Sequence, residues 1–387
     1  MIARMSRFDW IVIGGGPAGE KGAVQAAYFG KRVALIEREP YLGGACVNTG
    51  TLPSKTLRET CLAVSGFRQR GLGGVAQRAP QDLTAEQLMG RAHQVTQAER
   101  KRMLENLERH GVVRIEGSAR FVSDHEIEVA CSDGPRQVEG EKFLIAVGSS
   151  PNRPADIDFD HELIDDSDEF LRITRVPSSL IVMGAGVIGC EYATMFAALG
   201  VEVTLLDPRE PLLPFLDREV AERLRQTMVE SLHMDVRLGS PVAHVKPYDS
   251  HVICELEDGT LIQAQRLLVA AGRTGNTANL GLETIGIVPD KRGQLKVDEH
   301  YRTTVPHVYA VGDVIGFPSL ASVSMEQARV ATAHAFDLGY KDRVDPLLPY
   351  GIYTIPELSM IGESEESAKA KGIDAEEIGR ASCRERV

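Results

Sequence analysis

The sequence repeats one unit. Ile11-Val12-Ile13 runs into Gly14-Gly15-Gly16-Pro17-Ala18-Gly19, and Ile181-Val182-Met183 runs into Gly184-Ala185-Gly186-Val187-Ile188-Gly189. Each copy continues through a helical stretch to a glycine, Gly30 or Gly200, then a short apolar run, 33–36 or 203–206. Each run ends on a carboxylate, Glu37 or Asp207, and every landmark recurs after the same interval of 170 positions. A duplicated strand–turn–helix–strand of this kind commits the chain to an α/β fold with two Rossmann-like units.

A lone GxGxxG is a weak signal, but each copy here lies between a strand and a helix with an acid closing the next strand. The first glycine (Gly14, Gly184) makes the tight turn, and the second (Gly16, Gly186) admits a pyrophosphate to the backbone. The third (Gly19, Gly189) lets helix pack on strand. The helix N-terminus offers free N–H groups and a positive dipole end to the phosphates. Glu37 and Asp207 are then acceptors for ribose hydroxyls, and two dinucleotides are expected.

Residues 83–109 carry few helix breakers and read as a long helix, followed by short strands at 112–115, 119–122 and 127–129. A buried strand at 143–147 stops at Gly148-Ser149-Ser150-Pro151, a crossover into the second unit. The apolar run 267–271 stops at Gly272-Arg273 and reads as the return. The expected organisation is therefore a first domain at 1–149 and 273–346, with a second inserted at 150–272. Such a division suits 387 residues.

Composition excludes other classes. The net charge of −12 argues against nucleic acid, which selects basic surfaces. No apolar run approaches the ~20 residues that span a bilayer. Six cysteines without CxxC spacing point to a reducing compartment, the cytoplasm. Ten histidines without HExxH spacing give no reason to expect a metal.

With both fingerprints in place, the chain resembles the flavoprotein disulfide reductase superfamily. The residues carrying the match are Gly43-Gly44-Ala45-Cys46, Pro53-Ser54-Lys55 and Tyr309-Ala310-Val311-Gly312-Asp313. The resemblance implies FAD on the first unit, held by Gly14, Gly16, Gly19, Glu37, Arg38, Gly44, Cys46, Lys55, Gly148, Asp313 and Ala321. Asp313 would meet the flavin ribityl chain. A nicotinamide nucleotide belongs on the second unit, at Gly184, Gly186, Gly189, Glu191, Asp207, Arg209, Gly272 and Arg273. Lys55 and Glu191 would pair beside the flavin and tune it.

One departure decides the chemistry. The superfamily's disulfide uses two cysteines spaced CxxxxC, whereas this chain reads Cys46-Val47-Asn48-Thr49-Gly50-Thr51. Thiol–disulfide exchange requires a second sulfur, which Thr51 lacks. Cys46 then reads more readily as a small buried residue than as a catalyst.

Without a dithiol relay, the flavin keeps one evident partner, the nicotinamide. That pattern is similar to the soluble pyridine nucleotide transhydrogenases, which share the cysteine-to-threonine change. Gly189-Cys190-Glu191-Tyr192-Ala193, Gly272-Arg273-Thr274-Gly275-Asn276 and Gly312-Asp313-Val314-Ile315-Gly316 carry this closer likeness. It implies hydride passing from NADPH or NADH to flavin N5 and out to the other oxidised nucleotide. Asp207 suits the 2′-hydroxyl of NAD, and Arg209 is the candidate for the 2′-phosphate of NADP. Three other readings stay open: a lipoamide-dehydrogenase-like reductase, an NADH oxidase or diaphorase, and a nucleotide-binding module without turnover.

The superfamily continues into a C-terminal α+β dimerisation domain, which 347–376 would only begin. Residues 377–387 back-translate into a common sequencing-adapter sequence and are read as a non-native tail on a truncated gene. A homodimer is expected of the intact protein.

Overall fold

The computed structural model describes residues 6–66 and 84–376; the tail at 377–387 lies outside the described residues. Strand β1 (Ser6–Ile13), helix α1 (Pro17–Tyr28) and strand β2 (Val33–Glu37) form the first copy of the repeat. Helices α2 (Gly44–Asn48), α3 (Thr51–Ser65) and α4 (Ala85–Arg109) follow, then strands β3 (Val113–Glu116), β4 (Ser118–Ser123), β5 (Glu126–Cys131) and β6 (Gly134–Ile145). The α4 start is set by a capping box, with Thr84 accepting from the Gln87 N–H while the Gln87 side chain accepts from the Thr84 N–H.

After β7 (Ser149–Pro151) and β8 (Ile164–Asp166), the second copy comprises β9 (Ser179–Met183), α5 (Val187–Ala198) and β10 (Glu202–Asp207). Helix α6 (Arg218–Glu230) and strands β11 (Asp235–Leu238), β12 (Val242–Pro247), β13 (Val252–Leu256), β14 (Leu261–Ala264), β15 (Arg266–Val269) and β16 (Arg273–Gly275) complete it. The chain ends with β17 (Val308–Ala310), α7 (Ala321–Ala335), the hairpin β18 (Tyr350–Ile352) and β19 (Leu358–Met360), and α8 (Glu365–Ala370).

Two parallel sheets result, in the orders β3-β2-β1-β6-β17 and β11-β10-β9-β15-β8. Even the register is duplicated: Ile13 faces Ile36 and Met183 faces Leu206, each pair again 170 positions from its counterpart. β2 is buried along its whole length, as a strand covered on both faces must be. An antiparallel three-stranded meander is the crossover in each half, β4-β5-β6 in the first and β12-β13-β14 in the second.

β6 begins at Gly134, well before the 143–147 strand read from sequence. Its first half is the meander edge, and among residues 134–142 only Val138 and Gly140 are buried. That polar stretch carries no apolar run. Strands β7 and β16 pair antiparallel where the chain passes between the two sheets.

One apolar core runs across the seam between the halves. Leu57, Leu62 and Leu88 from α3 and α4 cluster with Met195 and Phe196 of α5, and with Ile352 and Ile355 near the C-terminal hairpin. Side chains of this size contribute about 1.5–3 kcal/mol each on burial. Helix α5 is buried continuously from Gly189 to Ala198, which fits its apolar circumference. Trp10 is fully buried, edge-on to Tyr309 and Phe336, and serves packing.

Candidate functional site

Both glycine turns are built by the same contacts. Gly14 and Gly184 hold φ of 105° and 110°, which favours glycine, and a Cβ on either would lie 2.4 Å from a carbonyl oxygen, Ala146 or Ala270. A Cβ on Gly19 or Gly189 would stand 1.8 Å from the carbonyl oxygen of Gly14 or Gly184. The third glycine thus packs the helix onto the turn itself.

The two acids fix these turns. Glu37 Oε2 accepts the Gly15 N–H at 2.6 Å, and Asp207 Oδ2 accepts that of Ala185 at 2.7 Å. Position 39 or 209 adds a second backbone bond, from Glu39 N–H at 2.9 Å or Arg209 N–H at 2.8 Å. In the second half the Arg209 guanidinium also donates to both Asp207 oxygens, at 2.9 and 3.0 Å. Burial would raise the Asp207 carboxyl, but hydrogen bonds from Arg209 and Ala185 outweigh it and hold the group below its ordinary range. Arg38 is exposed and lies 3.6 Å from Glu39.

Both turns open on one cleft of about 1340 Å³. This exceeds the roughly 300–1,000 Å³ of an ordinary small-molecule site and suits extended dinucleotides. Helices α1, α5 and α7 begin there without side-chain caps, leaving N–H groups for phosphate. Ala321 is the first residue of α7. A Cβ built on Gly148, Gly186 or Gly272 meets nothing within 4 Å, while Gly44 closes to 3.0 Å of Gly16 by the same measure. The cradle is bare backbone, as close approach of a phosphate requires.

Lys55 on α3 and Glu191 on α5 form an ion pair across the seam. The second Glu191 oxygen accepts the Tyr353 N–H at 2.9 Å, and the Lys55 ammonium sits 5.0 Å from the Tyr353 ring centroid. One turn further along α3, the buried Arg58 donates to the Thr354 carbonyl at 3.0 Å and to Glu357 at 2.5 Å. From α5, Thr194 Oγ1 accepts the Ile355 N–H at 3.0 Å. Segment 353–357 is therefore clasped by helices from both halves.

Cys46 and Thr51 lie close enough to hydrogen-bond, so threonine occupies the place a partner sulfur would need. Burial pushes the Cys46 thiol above its ordinary pKa, and the Thr51 hydrogen bond only partly offsets this. A protonated thiol is a poor nucleophile.

Asp313 opens a short turn after β17, and its Oδ2 accepts the Ser149 hydroxyl at 2.9 Å. Arg273 donates from Nε to Ser149 Oγ at 2.9 Å, from one terminal nitrogen to the Ser149 carbonyl at 2.7 Å, and from the other to Asp168 at 3.4 Å. Burial raises the Asp168 carboxyl, against the opposing pull of Arg273 and a hydrogen bond with Thr49.

The structure thus brings Gly14, Gly16, Glu37, Arg38, Gly44, Cys46, Lys55, Gly148, Asp313 and Ala321 to the cleft wall, together with Gly186, Glu191, Arg209, Gly272 and Arg273. Gly19, Gly184, Gly189 and Asp207 stand behind that wall and shape it. Sequence reasoning assigned no role to Arg58, Ser149, Asp168, Thr194 or Tyr353. Among the described residues, no group of three or more His, Cys, Asp or Glu side chains could hold a metal. No described helix is long and apolar enough to cross a membrane.

Two dinucleotide turns facing one cleft across a seam define a flavin- and nicotinamide-dependent oxidoreductase. The chain belongs to the pyridine nucleotide-disulphide oxidoreductase family, whose profile matches residues 8–335. Within it, the likeness is to the soluble pyridine nucleotide transhydrogenases. That of Mycobacterium tuberculosis (strain ATCC 25177 / H37Ra) is 43% identical over 385 residues, covering 98% of this chain and 81% of the relative. That of Chromohalobacter salexigens is 42% identical over 370 residues, covering 94% and 78%.

Among solved structures, LpdA from Mycobacterium tuberculosis superimposes with a TM-score of 0.85 at 27% identity, covering 96% of this chain and 81% of that one. The HOCl-induced flavoprotein disulfide reductase RclA from Escherichia coli gives 0.83 at 29% identity, covering 95% and 80%. FAD is the family's cofactor and pyridine nucleotides are its substrates, and the bare-backbone cradle and uncapped helices fit both.

Proposed function

We propose that this protein transfers hydride between NADP(H) and NAD(H) at one nicotinamide site. The observation that carries this reading is the pairing of two dinucleotide turns on one cleft with Thr51 in the second sulfur's place. When bound, FAD supplies the hydride acceptor and donor at N5. Gly14, Gly16 and Gly44 bind its pyrophosphate segment, Glu37 orders the turn beside its ribose, and Asp313 accepts from its ribityl chain. Gly186 admits the nicotinamide nucleotide, with Gly184 and Gly189 shaping the turn behind it. Lys55 and Glu191 hold a compensated charge pair next to the reacting rings. Arg209 lines the cleft, where its guanidinium would meet a 2′-phosphate, while Asp207 stands behind it and holds that guanidinium and the turn in place.

In this reading residues 1–149 and 273–346 form the FAD-binding domain and 150–272 the nucleotide domain. Residues 347–376 begin a dimerisation domain, and the full-length protein is a cytoplasmic homodimer. The deciding experiment is an anaerobic assay on full-length protein with NADPH as donor and thio-NAD as acceptor. Rapid flavin-dependent reduction of thio-NAD is expected. Flavin bleaching without transfer to thio-NAD, accompanied in air by oxygen consumption, would replace this reading with an oxidase or diaphorase. No bleaching by either reduced nucleotide would leave a binding module.

A further inference from the structure

The position of Arg273 after the returning strand suggests a nicotinamide-nucleotide contact, but its hydrogen bonds lead elsewhere. A guanidinium can only donate. Arg273 Nε lies 2.9 Å from Ser149 Oγ, so that oxygen is the acceptor and its own proton is free to be given away. The receiver is Asp313 Oδ2, also at 2.9 Å. The order of donation is therefore fixed from Arg273 through Ser149 to Asp313.

Both ends of this chain are anchored. A terminal nitrogen of Arg273 holds the Ser149 carbonyl at 2.7 Å, tying β16 to β7 where these strands pair. The other reaches Asp168 at 3.4 Å, just after β8 of the second sheet. With Nε and both terminal nitrogens engaged, and its side chain only 19% exposed, Arg273 has little left to offer a substrate. Asp313 lines the cleft and, among the described residues, gives Oδ2 alone to this chain. Oδ1 is left to accept from a ligand hydroxyl.

We propose that Arg273 is a positioning residue for the flavin-side acceptor Asp313, acting through Ser149, and not a contact of the nicotinamide nucleotide. This rests on Asp313 meeting the hydroxyl-bearing chain of FAD. A carboxylate held by a charge-assisted donor chain presents one oxygen in a set direction. Removing any link lets it rotate and weakens FAD binding without touching the nucleotide pocket.

The test is FAD titration of the full-length apoprotein, followed by quenching of flavin fluorescence, with NADH and NADPH KM values measured on the reloaded enzyme. Ser149→Ala and Arg273→Lys should each weaken FAD binding about two- to tenfold, the range of one hydrogen bond. The double variant should be no worse than the weaker single variant, because both break one chain. Ser149→Thr, which keeps the hydroxyl, should restore wild-type affinity, and nucleotide KM values should stay within about twofold throughout.

Unchanged FAD affinity with a large rise in nucleotide KM for Arg273→Lys would overturn the proposal, as would additive losses in the double variant. Should Arg273→Lys fail to fold, Ser149→Ala and its threonine rescue decide alone. Failure of the wild-type apoprotein to take up FAD would overturn this inference and the proposed function together. The expected FAD pattern without hydride transfer between nucleotides would support the inference and remove the proposed function.

Discussion

The internal repeat supplies its own design for testing nucleotide selection. Glu39 in the first half stands where Arg209 stands in the second, and both give a backbone N–H to the preceding acid, at 2.9 and 2.8 Å. Arg209→Glu therefore copies a residue the first turn already accepts, reversing the charge and giving up the two guanidinium bonds to Asp207. Two unit charges about 4 Å apart interact by about 1 kcal/mol in water and more near a protein surface. The substitution swings the local charge by about two units against a 2′-phosphate of about −1.5 to −2. That gives roughly 3–4 kcal/mol before screening. Arg209 is 66% exposed, so solvent and a Debye length of about 8 Å cut this by about half.

The expected result is a loss of roughly 10- to 30-fold in kcat/KM for NADPH, with NADH altered by no more than about threefold. The assay is anaerobic bleaching of the flavin by each nucleotide, repeated at raised salt, where the difference should shrink. Equal losses for NADH and NADPH would refute the reasoning, because damage to the turn cannot distinguish a phosphate. So would no change for either.

Three further outcomes follow from the geometry. Gly189→Ala places a methyl 1.8 Å from the Gly184 carbonyl oxygen and should abolish flavin reduction by nicotinamide nucleotides while FAD is still bound, read by absorbance before and after NADPH. Lys55→Met strands the buried Glu191 carboxylate and should slow flavin reduction by at least about tenfold in stopped flow, the scale of losing one charged partner. The Cys46 thiol should alkylate more slowly than a free thiol at neutral pH and react readily only above its ordinary pKa of about 9.0, as followed by peptide mapping. The sign for stability matches: the fold favours the protonated thiol, so Cys46 costs nothing below that pKa. It weakens the protein as pH rises past it, where the unfolded chain ionises first.

The parts of the site legible in sequence are those made within one strand–turn–helix unit. Glu37 and Asp207 act on residues 22 positions away, and Gly19 and Gly189 on carbonyls five positions back, so their spacing survives as a motif. The 170-position interval carried even the strand register. The clasp on segment 353–357 and the Ser149–Asp313 hydrogen bond were not legible, because their partners are far apart in the chain. Arg58 and Thr354 are 296 positions apart, and Ser149 and Asp313 are 164 apart. Nothing local marks such pairs. The first half of β6 was hidden for a different reason: its polar residues face solvent on a meander, where hydrophobic patterning is weak. Arg273 was seen as part of a motif, but its direction of donation appears only with coordinates.

The fifth strand of each parallel sheet comes from a different point in the chain. The second sheet draws all its strands from between Ile164 and Val269, whereas the first waits for β17 at Val308–Ala310 to lie beside β6. During synthesis the inserted unit thus has every strand it needs before the unit that encloses it. At about 5–20 residues per second, the end of β6 at residues 143–145, beyond the part that β5 pairs, stays a bare edge for on the order of ten to thirty seconds after it emerges. For that interval the nascent chain exposes one short open strand end beside finished structure, the part of its production most open to mispairing with another chain.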